Sequence, residues 1–597
     1  MSHAIEDYLK IRVAYAAGFS PDGSKVLVTS NLTGTMQLYR TNQSGGDLLR
    51  LTDFEEPVQG QYLPTHDRIL MTMDEGGNER TQIYLLDDDG STLEKLVYEP
   101  DYIHRPGGVT RDGKTFCYAS NRRNGVDFDV YVRSVDSDDE QLVFAIGGWC
   151  HPVGFSPDGR LCAVTRQTER NADNDLYLID LNSKETLQVA AHEEEAAIGP
   201  PRWLPDSSAF FFHTDIDREF ASIAAFDMDS ADWKHVLERD RDLSCRIDWP
   251  GTRLLVTAEE HGFHTLEMFD PKTLQPMGSI ELPHRGLSSG YFSRDGRFYT
   301  YTFTSPAEPG DVWVHDFAAV TNTRVTRSPN PIPPDEFIQP EVASFRSFDG
   351  EEIAALVFRP AEATSSKPPV VIWVHGGPES HYQPIFSPLV QYLLHRGYAV
   401  VAPNVRGSTG YGKRFHHLDD VERRLDSVKD LASLNEWLPA VGLDRTRAAL
   451  MGGSYGGYMT LAGLAFQPEL WAAGVCMVGI SSLVTFLENT SAWRRKFRER
   501  EYGSLEHDRD FLIHASPITH VDRISAPMFL IHGENDPRVP VGEARQIHQV
   551  LREKGIDCEL LIYPDEGHGL SKLKNRLHAY PQVASFLDRV FGMGDRS

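Results

Sequence analysis

The chain has 597 residues, 40% hydrophobic and 24% charged, with a formal net charge of −27 at pH 7. The composition is that of a soluble globular protein with room for several domains. The acidic surplus excludes non-specific nucleic-acid binding and docking on anionic membranes, which need excess Lys and Arg. The N-terminal stretch MSHAIEDYLKIRVAYAAGF lacks a basic segment followed by a long apolar run, and no run of about 18 apolar residues occurs, so neither a signal peptide nor a membrane span is expected. Six cysteines stand singly at 117, 150, 162, 245, 476 and 558, with no CxxC pair, which fits a reducing compartment and an expected cytoplasmic location.

The first 300 residues repeat one phrase. It reads FSPDGSKVLVTSN from Phe19, YLPTHDRILMTMD from Tyr62, VTRDGKTFCYASN from Val109 and FSPDGRLCAVTRQ from Phe155. It returns from Trp203, Asp248 and Phe292, so that the aligned residues Pro21, Pro64, Arg111, Pro157, Pro205, Pro250 and Arg294 are spaced by 43, 47, 46, 48, 45 and 44. Each unit holds a turn of Ser-Pro-Asp-Gly type, a β-rich run, and further strand-like segments such as TQIYLLDDDG and DLYLIDLNS. About four short strands at a period of ~40–50 residues are a propeller blade, and seven such units predict a seven-bladed β-propeller over residues 1–327.

The stretch SPNPIPPDEFIQPE, residues 328–341, is Pro-rich and aperiodic, as a linker should be. A hairpin follows, turning at Asp349-Gly350. Apolar strands (VVIWV, YAVVAP, RAALM, AAGVCM, PMFLIH, CELLIY) then alternate with helical stretches such as SVKDLASLNEWLPAVG and VGEARQIHQVLREKG. Near-continuous apolar runs predict parallel strands covered on both faces, so residues 328–597 are expected to be a doubly wound α/β-hydrolase domain with a mostly parallel sheet.

In LMGGSYGGYMT, a strand, a tight G-x-S-x-G turn and a helix follow one another, which is a nucleophile elbow with Ser454 at its tip. Cβ atoms at Gly452 and Gly456 would collide with neighbouring backbone in so sharp a turn. A hydroxyl needs a base, and this fold supplies the acid and then the His later in the chain. Asp536 in FLIHGENDPRVP and His568 in LIYPDEGHGL each fall just past a strand end, with Asp565 a rival acid in the same loop as His568. His532 and His375 read as structural or oxyanion-loop residues. The N–H of Tyr455 is one candidate oxyanion donor, and Gly376 or Gly377, in VIWVHGGPES, is the second.

The propeller followed by HGGP at His375, NVRGSTGYG at Asn404, GGSYGGYM at Gly452, NDPRVP at Asn535 and GHG at Gly567 resembles the prolyl oligopeptidase family of serine peptidases, over essentially the whole chain. The HGGP and NVRGSTGYG forms look most like its acylaminoacyl-peptidase branch. The resemblance implies that Ser454, Asp536 and His568 form the triad, and that the propeller screens the site, admitting short peptides. It also implies that Arg538 contacts a substrate carbonyl, or else a structural ion pair. Phe486 and Trp493 become candidates for a hydrophobic pocket wall or for core. Arg494 and Arg495 could hold a C-terminal carboxylate or lie on a solvated charged face. HEEEAAIG, with Glu193 to Glu195, lacks the aromatic context of the paired-Glu motif of dipeptidyl peptidases and reads as a solvated loop.

The expected function is a serine peptidase that acts on short peptides through an acyl-enzyme, releasing N-acylated amino acids from blocked ones. An oligopeptidase or carboxypeptidase of the same family, a carboxylesterase on small esters and a binding protein with an inert hydrolase half are the alternatives. Without HExxH or a G-x-x-x-x-G-K loop, no metal or organic cofactor is expected. The resemblance makes a homo-oligomer plausible without fixing it.

Overall fold

The computed structural model describes residues 3–360 and 367–593. Among these, seven four-stranded antiparallel sheets follow one another, each made of four consecutive strands. The first begins at Ala14–Phe19 and the seventh ends at Thr321–Arg324. The repeated phrase forms the first hairpin of each blade. In the first blade, Asp22 accepts from the Ser20 hydroxyl at 2.6 Å and from the Ser24 N–H at 3.0 Å, while Gly23 takes φ +75°. The same hydroxyl-to-carboxylate contact recurs at Thr110–Asp112, Ser156–Asp158 and Ser293–Asp295, at 2.6, 2.5 and 2.6 Å. A carboxylate bonding two residues along and a glycine with positive φ together make the turn that the sequence repeats. The ring closes by packing. Phe19, Val26 and Val28 of the first blade share a core with Phe298, Val312 and Val314 of the seventh, and the Ala16 N–H donates to Thr302 Oγ1 at 2.8 Å.

The second unit is one eight-stranded sheet: β1 (Glu341–Arg346), β2 (Glu352–Phe358), β3 (Val370–Val374), β4 (Ala399–Pro403), β5 (Ala448–Gly453), β6 (Ala473–Met477), β7 (Met528–Gly533) and β8 (Cys558–Tyr563). Their spatial order is β1-β2-β4-β3-β5-β6-β7-β8. β1 with β2 and β2 with β4 are antiparallel, and every other pair is parallel. The strands lack polar alternation because both faces are covered. β3 sends Val370, Ile372 and Val374 into one core and Val371 into the other, and β5 divides Ala448 and Leu450 from Ala449 and Met451 in the same way. Helix Arg424–Trp437 packs on the first face, and helices Pro388–His395 and Leu573–Phe591 on the second. Among the described residues no helix is long and apolar enough to cross a membrane.

The expected start of the propeller at residue 1 is corrected. Ile5 and Leu9, on helix Ile5–Leu9, pack with Leu389, Leu393 and Val583 of the second unit, while Tyr8 and Ile11 join Ile332, Phe337 and Phe386. Apolar residues at helical spacing, not strand alternation, direct this segment away from the blades. The Arg12 N–H donates to the Pro329 carbonyl at 2.9 Å, so the chain's start is tied to the interdomain linker.

Candidate active site

Ser454 follows β5 and precedes helix Tyr455–Phe466, with φ 56° and ψ −118°. A side chain in that region of backbone space costs about 1–3 kcal/mol and survives only where its surroundings enforce it. They do so here through close backbone approach. A Cβ on Gly452 would lie 2.5 Å from the Gly456 carbonyl oxygen, and one on Gly456 would lie 2.1 Å from that of Val374. A Cβ on Gly457 would meet Gly479 Cα at 2.6 Å. The Ser454 N–H is fastened to the Met477 carbonyl at 2.9 Å, and the Ser454 carbonyl accepts the first helical bond, from Tyr458, at 3.0 Å.

Asp536 and His568 lie in the loops after β7 and β8, at the same edge of the sheet as Ser454. His568 Nδ1 donates to Asp536 Oδ2 at 2.7 Å. The other carboxylate oxygen of Asp536 accepts the N–H groups of Arg538 at 2.8 Å and Val539 at 3.0 Å. The Asp536 side chain has no exposed surface. Burial alone would raise its pKa, but the His568 hydrogen bond and the His532 imidazole 3.6 Å away outweigh it and hold the carboxyl well below the ordinary carboxylate range. Such an acid stays ionised and fixes one imidazole tautomer, leaving Nε2 as the basic nitrogen. The rival Asp565 is occupied elsewhere, with Lys574 at 2.8 Å and Asn575 at 3.0 Å. His532 hydrogen-bonds the Val539 carbonyl at 2.8 Å.

The oxyanion side is equally confined. A Cβ on Gly376 would stand 3.5 Å from Ser454 Cβ, so this backbone runs directly beside the nucleophile. Gly377 takes φ +136° before a cis bond to Pro378. His375 is buried, with one ring nitrogen 2.8 Å from the Gly376 carbonyl and the other 2.8 Å from Ser408 Oγ, and burial lowers its pKa to about 4. With both ring nitrogens engaged in this way, the imidazole pins the loop. Helical geometry leaves the Tyr455 N–H without an intrahelical acceptor. The Tyr455 phenol lies in a buried polar cluster, 2.8 Å from Ser427 Oγ and 3.1 Å from Asp419.

Residues 59–327 match the model of the prolyl oligopeptidase N-terminal beta-propeller domain, and residues 384–594 match that of the prolyl oligopeptidase family. The chain belongs to the prolyl oligopeptidase family. It is a serine-type peptidase. It is 26% identical over 598 residues to dipeptidyl aminopeptidase BIII of Pseudoxanthomonas mexicana, covering 96% of this chain and 86% of that one. It is also 27% identical over 232 residues to acylamino-acid-releasing enzyme 1 of Oryza sativa subsp. japonica, covering 37% of this chain and 30% of that one. A solved structure from a study of two prolyl endopeptidases superposes with a TM-score of 0.87 at 18% identity, covering 99% of this chain and 91% of that one, a likeness of fold.

In this family member the remaining candidates separate. Arg538 pairs with Glu79 of the second blade at 2.5 Å, the ion-pair alternative. Phe486 is 2% exposed and packs edge-on against Tyr502 in the core. Trp493 lies at the domain seam, against Phe128 and Trp149 with ring centroids 5.7 and 5.2 Å apart. Arg495, a candidate for a carboxylate anchor or a solvated face, donates from its guanidinium to the Leu487 and Glu488 carbonyls at 2.7 and 2.6 Å, where it caps the preceding helix. Arg494 does not lie on a solvated face; its Nε is buried without a hydrogen-bond partner. The Glu193–Glu195 loop is not merely solvated either. Glu194 reaches Lys413 at 3.4 Å and Glu195 reaches His417 at 3.6 Å, both in the catalytic unit.

Sequence reasoning missed the support of the His loop. Buried Glu566 accepts from the Ser571 hydroxyl and N–H, the Lys572 N–H and the Asn575 amide at 2.7 to 2.9 Å. Propeller residues reach the same loops. Asn535 donates to the Gly76 carbonyl at 2.9 Å, and a Cβ on Gly77 would lie 2.4 Å from the Gly567 nitrogen. A D-E-G-G-N turn in a blade carries no catalytic signature, so only the fold reveals it.

Proposed function

We propose that this serine peptidase hydrolyses short, N-terminally blocked peptides in the cleft between propeller and sheet, releasing N-acyl amino acids. The charge beside the candidate triad carries the reading. Arg494, Arg538 and Arg105 gather there around Glu79, whose carboxylate is taken by Arg538. A free α-ammonium is repelled by such surroundings, and an acylated terminus is not.

In the proposed mechanism, His568 Nε2 takes the Ser454 proton as Oγ attacks the scissile carbonyl. Asp536 holds the imidazole and stabilises the imidazolium. The N–H groups of Tyr455 and of Gly376 or Gly377 receive the oxyanion, each such donor being worth about 10²–10³ in rate. The imidazolium then protonates the leaving amine, and water activated by His568 releases the acyl group from Ser454.

A second reading, removal of dipeptides from a free N-terminus, is favoured by a neighbouring cavity of about 490 Å³ that Asp215, Asp242, Glu259 and Glu379 line. N-acetyl-Ala-Ala-Phe-Ala-Ala and its unblocked counterpart, incubated with the parent and Ser454→Ala proteins and read by mass spectrometry, separate the two. Acetyl-alanine released from the blocked peptide by the parent alone supports the proposal. Ala-Ala released from the free peptide alone supports the second reading. Cleavage at the interior Phe would make the protein an oligopeptidase, and hydrolysis of esters alone a carboxylesterase.

A further inference from the structure

We infer that the cleft holds a carboxylate-binding site formed by Arg105 of the propeller and Arg494 of the catalytic unit. The inference rests on reading the cleft as the substrate site and adds the chemical class of the group recognised there. Arg105 stands in strand His104–Val109, its guanidinium over the rings of Phe128, Trp149 and Trp493 at 5.0, 4.8 and 5.0 Å from their centroids. Arg494 stacks on the same Trp493 ring from the other unit, at 5.2 Å. One indole thus collects two guanidinium groups, one from each unit.

Among the described residues, neither group has an ion pair or a side-chain hydrogen bond, and Arg494 Nε is buried without a partner. Burial is the main influence on both, lowering the pKa of Arg105 to about 10 and of Arg494 to about 9. Their neighbours are treated differently. Arg498, one helical turn beyond Arg494, pairs with Glu379 at 2.7 Å, and Arg538 pairs with Glu79. The chain has 86 Asp and Glu against 59 Lys and Arg, so counter-ions are not in short supply. Arg105 and Arg494 are half-buried, and a cation partly withdrawn from water and left unpaired is costly unless a ligand supplies the missing charge. A guanidinium held over aromatic rings without a polar partner has N–H groups left to meet a carboxylate.

There is room on the Arg105 side, and the Arg494 helix is tied to the loop of the candidate acid. A cavity of about 350 Å³ opens beside Arg105, lined also by Trp149, His151, Thr165, Gln167 and Phe497. The segment leading into the Arg494 helix is fastened to the loop of Asp536: Thr490 Oγ1 donates to the Arg538 carbonyl at 2.8 Å and Ser491 Oγ to that of Pro537 at 2.9 Å. In a short peptide the carboxylate is either the C-terminal group or an Asp or Glu side chain.

Equilibrium binding to the Ser454→Ala protein tests the site without turnover. The probes are acetyl-Ala-Phe-Ala as free acid and as C-terminal amide, and acetyl-Ala-Asp-Ala-amide with its Asn counterpart. The expected result is about ten- to a hundredfold tighter binding of the carboxylate-bearing member of at least one pair, as for a hydrogen-bonded charge. The acid–amide pair responding identifies the C-terminus as the source; the Asp–Asn pair responding identifies the side chain. The advantage should collapse in Arg494→Gln and Arg105→Gln, and be recovered only in part by Arg494→Lys, which keeps the charge and loses the fork. Equal binding within both pairs, or an advantage that survives both Gln substitutions, overturns the inference. Loss of Ser454-dependent hydrolysis in the parent would instead remove the peptidase reading, since binding is measured without it.

Discussion

Ser454 keeps its φ of 56° because Gly452, Gly456 and Gly457 let three backbone segments approach more closely than any side chain would allow. That much was legible in GGSYGG, since a turn so rich in glycine has few other uses after a buried strand. Asp536 and His568 were legible as candidates from their order and from the strand ends before them, an order that already favoured Asp536 over Asp565, and the 2.7 Å contact supports that preference. Arg105 was not legible, because an arginine in a blade strand looks the same whether it faces water or a cleft. Asp536→Asn removes the acceptor that fixes the tautomer and is expected to lower kcat by about 10⁴ with little change in KM. Its pH signature follows from the depressed pKa. The carboxylate's contribution to stability is present above the unfolded value, near pH 4, and is lost as pH falls towards the lower folded value. The melting temperature of the parent should therefore exceed that of Asp536→Asn at pH 7, with the gap closing below pH 4.

Among the elements, the helix after Ser454 and the loop after β8 carry the candidate site, and each is braced by groups distant in sequence. Buried Arg424 is paired with Asp419 and Glu501, and the same cluster receives the Tyr455 hydroxyl. Asn171 of the fourth blade donates to Glu501 at 2.8 Å, so the propeller touches the cluster too. Burial raises the pKa of both acids against the pull of Arg424. Arg424→Met leaves two buried carboxylates uncompensated and should cost about 3–5 kcal/mol. The loss should be larger at pH 8 than at pH 5, where the stranded acids can take up protons, and thermal unfolding at the two values checks it. Gly77→Ala tests the brace on the His loop. The added methyl would meet Gly567 in a residue with φ +75°, so it should displace His568 and lower kcat/KM at least tenfold while the far-UV spectrum is unchanged. Neither brace could be found by motif, because each partner is an ordinary residue until the fold brings it close.

At the scale of the whole molecule, the repeat of 43 to 48 residues made the seven blades legible, since each turn phrase restates the same Ser/Thr–Asp–Gly chemistry. The parallel sheet was legible from apolar runs too continuous for one buried face. The seam between the two units was not. It joins residues some 460 to 490 positions apart, as in Arg538–Glu79 and Gly77–Gly567, and helix Ile5–Leu9 crosses it to complete the catalytic unit's core. The seam brings blade residues against the loops of the candidate acid and base, so propeller and sheet both shape the candidate site. The most direct measurement of the central claim is labelling of the intact protein with a fluorophosphonate, followed by peptide mapping and a turnover assay on the same sample. A stoichiometric adduct on Ser454, with peptide hydrolysis lost in proportion to labelling, is the expected result. An adduct on another residue, or undiminished hydrolysis by the fully labelled protein, would contradict the account.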